Sequence, residues 1–143
     1  MKTISNIVKY AVLLVFGGAA YCGIEYLYRG HSHWTMFFVG GFSFIFCGLI
    51  NELFPWDMSI WKQMAICAAG ITLIEFLSGV LINLVLGWRV WDYSNMPLNI
   101  LGQVCLPFTL AWFALSFVAI VLDDWLRYWL FNEEKPRYNF KWR

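Results

Sequence analysis

The sequence predicts an all-α membrane protein, a compact bundle of about four transmembrane helices. Hydrophobic residues make up 61% of the 143 positions and charged residues only 13%, with a mean hydropathy of +0.62, which is more apolar than soluble domains usually are. Four apolar stretches have roughly the 20 residues needed to cross the hydrocarbon core of a bilayer. They lie near residues 7–28, 34–54, 61–88 and 102–123. Lipid offers the backbone no hydrogen bonds and four strands are too few for a barrel, so each stretch is expected to be helical.

The whole chain, residues 1–143, is predicted to form a single domain that includes both of its ends. The apolar stretch near the N-terminus is predicted to be the first span and not a cleaved leader, because it contains bulky Tyr21 and no small-x-small site follows it. The fourth helix is expected to run past Asp123 and Asp124 as an interfacial extension, residues 125–131, rich in Trp and Arg. A polar tail, 132–143, follows it.

The basic residues predict the orientation. In a four-span chain most of them fall on one side, and only Arg29 and Arg89 fall on the other. The larger group comprises Lys2, Lys9, Lys62, Arg127, Lys135, Arg137, Lys141 and Arg143. Because Lys and Arg accumulate on the cytoplasmic side, we expect a multi-pass protein of the cell membrane with both termini cytoplasmic.

Several chemistries find no support in the sequence. A formal net charge of +1 and the lack of a basic tract argue against a nucleic-acid partner. The four cysteines lie in apolar segments without C-x-x-C spacing, and His31 and His33 are too few ligands on their own, so no metal or other cofactor is expected. The chain has no phosphate-binding loop for ATP, no H-E-x-x-H and no G-x-S-x-G.

Ionisable side chains within the spans are the informative ones, since each costs about 2.5–3.5 kcal/mol to insert. Glu25 and Arg29 are four residues apart on one helix face, either as a local ion pair or with Arg29 offering its guanidinium to an anionic ligand. Glu75 lies near the middle of the third span, with Gly79 and Asn83 on the same stripe. A carboxylate at that depth predicts a functional site, although Gly79 and Asn83 also suit helix packing.

The connection after the third span is rich in aromatic and polar residues. Trp91, Asp92 and Tyr93 lie in it, and Pro97 is expected to begin the fourth helix. The aromatic rings also suit an interfacial belt. Together with the residues above, this connection predicts one polar, ligand-binding pocket in the non-cytoplasmic half of the bundle. The predicted pocket residues are Glu25, Arg29, His33, Glu75, Asn83, Trp91, Asp92, Tyr93, Asn99 and Gln103, the last two on a shared helix face.

These residues resemble the family described as Putative ABC-transporter type IV, or CmpB-like permeases. The resemblance covers most of the chain, and its most specific part is the Trp91-Asp92-Tyr93-Ser94 segment. The other matching positions are Glu25, Tyr28-Arg29, His33-Trp34, Gly40-Gly41, Asn51-Glu52, Glu75-Phe76, Gly79, Asn83, Pro97, Asn99 and Gly102-Gln103. The resemblance implies a multi-pass membrane protein with the role of a transport permease.

The leading functional hypothesis is a membrane transport or solute-binding component. Arg29, Asn83, Asn99 and Gln103 would contact a small polar or lipid-like ligand, and Glu75 would be available for proton coupling. Four short spans make a narrow bundle, so this hypothesis also predicts a homo-oligomer or a partner membrane subunit in the lipid bilayer.

Two alternatives stay open. One is an intramembrane enzyme acting on a lipid or lipid-linked head group, with Glu75, Asp92 or His33 as acid and base, although no nucleophile with an adjacent base is evident. The other is a structural or regulatory membrane subunit, whose buried polar groups bind one another. On the residues alone a non-enzymatic protein is favoured; the enzyme ranks second, behind transport and ahead of the structural subunit.

Overall fold

Four α-helices form the computed structural model of the protein, which describes residues 2–54 and 58–141, and the side chains of all of these but 2–5 and 51–52. Within these residues no β-strand occurs, only two isolated bridges. The helices are α1 (Lys2–Arg29), α2 (Trp34–Leu53), α3 (Ile60–Gly79), which continues as a π-helical segment (Val80–Val85), and α4 (Leu106–Phe131).

Three of these helices are long and apolar enough to cross a membrane: Asn6–Arg29, Ile60–Val85 and Leu106–Phe131. The described apolar part of α2, Trp34–Ile50, is shorter. The prediction of an all-α membrane bundle is therefore confirmed.

Successive helices run in opposite directions, so the bundle has two distinct ends. The α1–α2 connection and residues 86–105 lie at one end, called here the loop end, where the rings of His33 and Trp88 are 6.2 Å apart. The N-terminal part of α1 and the described part of the tail lie at the other, called here the terminal end. There the Lys9 ammonium pairs with Glu133 at 3.0 Å, and the Ile60 amide donates to the Asn139 carbonyl at 2.7 Å.

Glycines bring α1 and α2 together. A Cβ atom added to Gly18 would overlap the carbonyl oxygen and ring of Phe37, and one added to Gly41 would overlap Leu14. Small residues are common where membrane helices approach closely, because packing rather than water exclusion holds such helices together. Gly18 and Gly41 therefore allow α1 and α2 to pack closely.

The start of the fourth helix differs from the prediction. The fourth helix starts at Leu106, with Pro107 in its first turn, so the expectation that Pro97 begins it was wrong. Asn99 and Gln103 consequently do not share a helix face, because both lie in the irregular connection 86–105. The apolar residues just before Leu106 are buried by the fold of this connection, which explains why their hydropathy resembled that of a span.

The predicted extension of the fourth helix is present as a direct continuation of α4 to Phe131. Its polar residues turn inward: Arg127 is 2% exposed, and its Nε donates to Oδ1 of Asp123 at 2.5 Å. The polar tail then folds back, and the Tyr138 hydroxyl donates to Asp124 at 2.9 Å. Burial first, and then the Asp124 charge, raise the pKa of Tyr138 above its ordinary value, which keeps it a neutral donor. A buried ion network thus closes the terminal end.

Replacing Gly18 with Ala tests the close α1–α2 contact. In an open helix Gly→Ala stabilises by about 1 kcal/mol, whereas overlap with a packed neighbour costs about 1–3 kcal/mol. We expect Gly18→Ala to lower the thermal unfolding midpoint in detergent micelles. Gly23→Ala, on the same helix with nothing within 4 Å of the added Cβ, should leave the midpoint unchanged or raise it. Equal midpoints for the two variants would contradict this packing.

Candidate functional site

A cleft of about 350 Å³ separates α1 from α4. It exists because α1 packs chiefly on α2, while α4 packs on α2 and α3, so that the backbones of α1 and α4 hardly approach each other. Residues on its two rims, such as Ile24 and Val118, are 55% and 50% exposed although they lie within apolar spans. The mouth of the cleft therefore faces the hydrocarbon of a bilayer. Its volume falls within the range of small-molecule pockets.

Glu75 lies at the inner wall of this cleft and is 2% exposed. Its carboxylate accepts hydrogen bonds from the Tyr93 hydroxyl at 3.2 Å and from the Trp112 indole N–H at 3.4 Å. Both donors are neutral. Among the described residues, no Lys, Arg or His nitrogen lies within 4 Å of the carboxylate, so its charge has no adjacent counter-ion.

Three further polar groups, carried by α1 and α2, line the cleft. Glu25 and Arg29 form the ion pair that their spacing predicted, with Glu25 buried and Arg29 partly exposed. Oε2 of Glu25 and Oγ of Ser43 are buried and have no hydrogen-bond partner among the described residues. Buried polar atoms without partners are uncommon in folded proteins and are costly unless something satisfies them. The cleft therefore contains polar atoms with unused bonding capacity.

Asn83 and Gln103 fasten the 86–105 connection to the third helix. Oδ1 of Asn83 accepts from the Val90 amide at 2.7 Å and the Trp91 amide at 3.4 Å, and its Nδ2 donates to Oε1 of Gln103 at 2.8 Å. Nε2 of Gln103 donates to the Leu101 carbonyl at 2.9 Å. Both side chains form their hydrogen bonds with other groups of the protein, and neither lines the cleft. They hold Trp91 in the cleft wall.

Asn99 and Asp92 shape the same connection from within. Nδ2 of Asn99 donates to the Met96 carbonyl at 2.9 Å, and its Oδ1 accepts from the Gly102 amide at 3.0 Å. Oδ1 of the exposed Asp92 accepts from the Ser94 amide at 2.9 Å, and this bond lowers the pKa of Asp92 below its usual value. Such local bonds are typical of Asn and Asp in turns.

His33 begins α2. Its Nδ1 accepts from the Thr35 amide at 3.2 Å, as an N-cap side chain does, and its ring stacks on Trp34. It does not line the cleft. Within residues 2–54 and 58–141, no three His, Cys, Asp or Glu side chains form a metal-ligand group.

The ten predicted pocket residues therefore divide into two sets. Glu25, Arg29, Glu75, Trp91 and Tyr93 line the cleft. The remaining five, His33, Asn83, Asp92, Asn99 and Gln103, cap a helix or hold the connection in place.

Sequence reasoning missed most of the cleft lining, including Tyr21, Ser43 and Trp112. A hydroxyl in the middle of an apolar span was the available signal for Ser43. The two aromatic residues look like ordinary lipid-facing side chains until the neighbouring helices are placed.

The residues that form the cleft fall within a match to a known protein family. The family model described as Putative ABC-transporter type IV matches residues 11–138. The chain belongs to this family. The match includes every residue of the cleft and confirms the resemblance noted in the sequence, so the protein is a transport-related membrane protein. No solved structure matches the chain.

Removing the Asn83 side chain tests whether it anchors the connection that forms part of the cleft wall. Asn83→Ala leaves the Val90 and Trp91 amides without their acceptor, at a cost of about 1–3 kcal/mol for a buried unsatisfied group. We expect faster hydrogen–deuterium exchange at residues 90–91 and a red-shifted tryptophan emission. Asn95→Ala, at an exposed position of the same connection, should change neither. Unchanged exchange in Asn83→Ala would show that other contacts hold the connection.

Proposed function

We propose that the protein is an integral membrane transport or solute-binding component whose ligand occupies the cleft between α1 and α4. The observation that supports this most is Glu75, a buried carboxylate with neutral donors and no adjacent described cation, placed in a cavity that opens to the bilayer. Carboxylates at such depth commonly mark substrate or proton pathways. The family description, an ABC-transporter type, favours the same role.

In this proposal Glu75 binds the ligand or a proton, and the Tyr93 hydroxyl and Trp112 N–H hold its carboxylate in position. Arg29 and Glu25 lie nearer the loop end of the cleft, where the wall meets the aqueous boundary. The permease role would then need no ATP-binding motif in this chain, since a proton could provide the coupling.

We place the protein in the cell membrane with both termini cytoplasmic, which puts the loop end on the non-cytoplasmic side. The basic residues at the terminal end, among them Lys9, Lys62 and Lys135, support this orientation. One narrow bundle leaves one side of the cleft open. We therefore further propose that the protein works as a homo-oligomer or with a partner membrane subunit.

The enzymatic alternative is less well supported by the geometry. The acid–base set that it requires combines Glu75 with Asp92 or His33, and neither of those two side chains lines the cleft with Glu75. General acid–base catalysis needs both groups within hydrogen-bond reach of one substrate.

The test compares wild type with Glu75→Gln in lipid nanodiscs against a panel of cationic, anionic and uncharged solutes and amphiphiles. A ligand at 100 times its Kd stabilises by about 2.7 kcal/mol, so we expect at least one compound to raise the wild-type Tm by about 5 °C or more. The same compound should shift Glu75→Gln far less. Its uptake into proteoliposomes by wild type and not by Glu75→Gln would then support transport.

The matched control is Glu134→Gln, which removes an exposed carboxylate of the tail, outside the cleft. It should respond to every compound as wild type does. The proposal is contradicted if no compound distinguishes wild type from Glu75→Gln.

A further inference from the structure

We propose that the ligand class of the cleft is an amphiphile with an ammonium head group, bound with its nitrogen beside Glu75 and its alkyl chain along the gap between α1 and α4. This inference rests on the proposed function, that the cleft is a ligand site, and specifies the chemistry of the ligand.

The charges within the cleft favour a cation. Arg29 is paired with Glu25, which leaves Glu75 as the one charged side chain of the described lining without an ionic partner. An ionised Glu75 therefore gives the cleft a net charge of −1. An isolated buried charge is strongly unfavourable, so a cationic ligand gains by supplying the missing counter-ion.

Aromatic residues line the cleft together with the carboxylate, and two of them, Tyr93 and Trp112, donate hydrogen bonds to it. Tyr21, Trp91, Tyr93, Phe108 and Trp112 all line the cleft with Glu75, and the rings of Tyr21 and Trp112 have centroids 5.8 Å apart. Aromatic faces attract cations, by about 2 kcal/mol or more when the site is desolvated, and sets of such rings recognise quaternary ammonium groups. A carboxylate together with several aromatic side chains therefore suits an alkylammonium better than an anion or a sugar.

The rest of the cleft suits an alkyl chain. Most of the other side chains in its walls are apolar, including Phe16, Ile24, Leu115, Val118 and Leu122. These residues lie in membrane spans and are partly exposed at the rims, so a molecule dissolved in the bilayer can enter sideways. A free polar solute would gain nothing from these walls.

A second copy of the chain is the competing occupant of an open, apolar cleft. The positions of the polar atoms favour a small ligand instead. Glu75 is 2% exposed, and the unpartnered Ser43 hydroxyl is also buried, so neither presents a surface to a neighbouring helix. A flexible chain with a compact head group can reach both.

The test measures binding of decyltrimethylammonium to the protein in nanodiscs by quenching of tryptophan emission, with decyl sulfate and tetramethylammonium as probes lacking the cation or the tail. Wild type should bind decyltrimethylammonium at least about tenfold more tightly than either other probe, because only it offers both the cation and the chain. Glu75→Gln should lose about tenfold or more in affinity.

Variants of one aromatic residue separate a role in binding from a role in folding. Trp112→Leu removes an aromatic face and should weaken binding of the cation, whereas Trp112→Phe keeps a face and should retain most of it. Trp129→Leu, on the exposed side of the same helix and outside the cleft, should bind as wild type does. Circular dichroism confirms that each variant is folded before its affinity is compared.

The possible results distinguish this inference from the proposed function. Equal affinity for the cationic and anionic probes, or equal binding by wild type and Glu75→Gln, would overturn the ammonium assignment. The ammonium assignment also fails if decyltrimethylammonium does not bind while an anionic or uncharged compound stabilises the protein in a way that depends on Glu75. In that case the proposed function still stands. A wild-type dimer that Ala111→Phe dissociates and that binds no cation would assign the cleft to a second copy.

Discussion

The need to satisfy a carboxylate in hydrocarbon governs the interior of this bundle. Lipid offers Glu75 neither water nor hydrogen bonds, so its partners must come from the protein itself. Tyr93 provides one donor from the 86–105 connection and Trp112 the other from α4. Asn83 and Gln103 help to hold this connection against the third helix. One buried carboxyl group thus links three parts of the chain that are distant in sequence.

The terminal end and the cleft differ in the partners that their charged groups have. At the terminal end, Arg127 is buried with Asp123, and the tail packs on the helices through the bond from Tyr138 to Asp124. Acidic and basic groups lie together there, as expected for a structural ion network. In the cleft, the carboxylate of Glu75 has only neutral donors, and other polar atoms of the lining have no hydrogen-bond partner among the described residues. This contrast makes the cleft, and not the terminal end, the candidate site.

Hydropathy predicted the helices well because apolar length alone decides which segments can cross a bilayer. The depth of Glu75 and the i,i+4 spacing of Glu25 and Arg29 were equally readable. The start of α4 could not be predicted, because the buried apolar residues of the irregular connection resemble part of a span. The roles of Asn83 and Gln103 could not be predicted either, because both side chains bind backbone groups of that connection. The cleft itself arises because α1 and α4 do not pack closely on each other, which only the packing of all four helices determines.

Chemical labelling of Glu75 tests most directly whether the cleft reaches this residue from the bilayer. Dicyclohexylcarbodiimide partitions into lipid and modifies protonated carboxyl groups, whereas water-soluble carbodiimides stay outside. The lipid-soluble reagent should label Glu75 in liposomes, and Ala111→Phe, which fills the cleft, should slow labelling while Ala114→Phe, outside the cleft on the same helix, should not. Faster labelling by the water-soluble reagent, or equal labelling rates in the two variants, would contradict the claim that the cleft connects Glu75 with the bilayer.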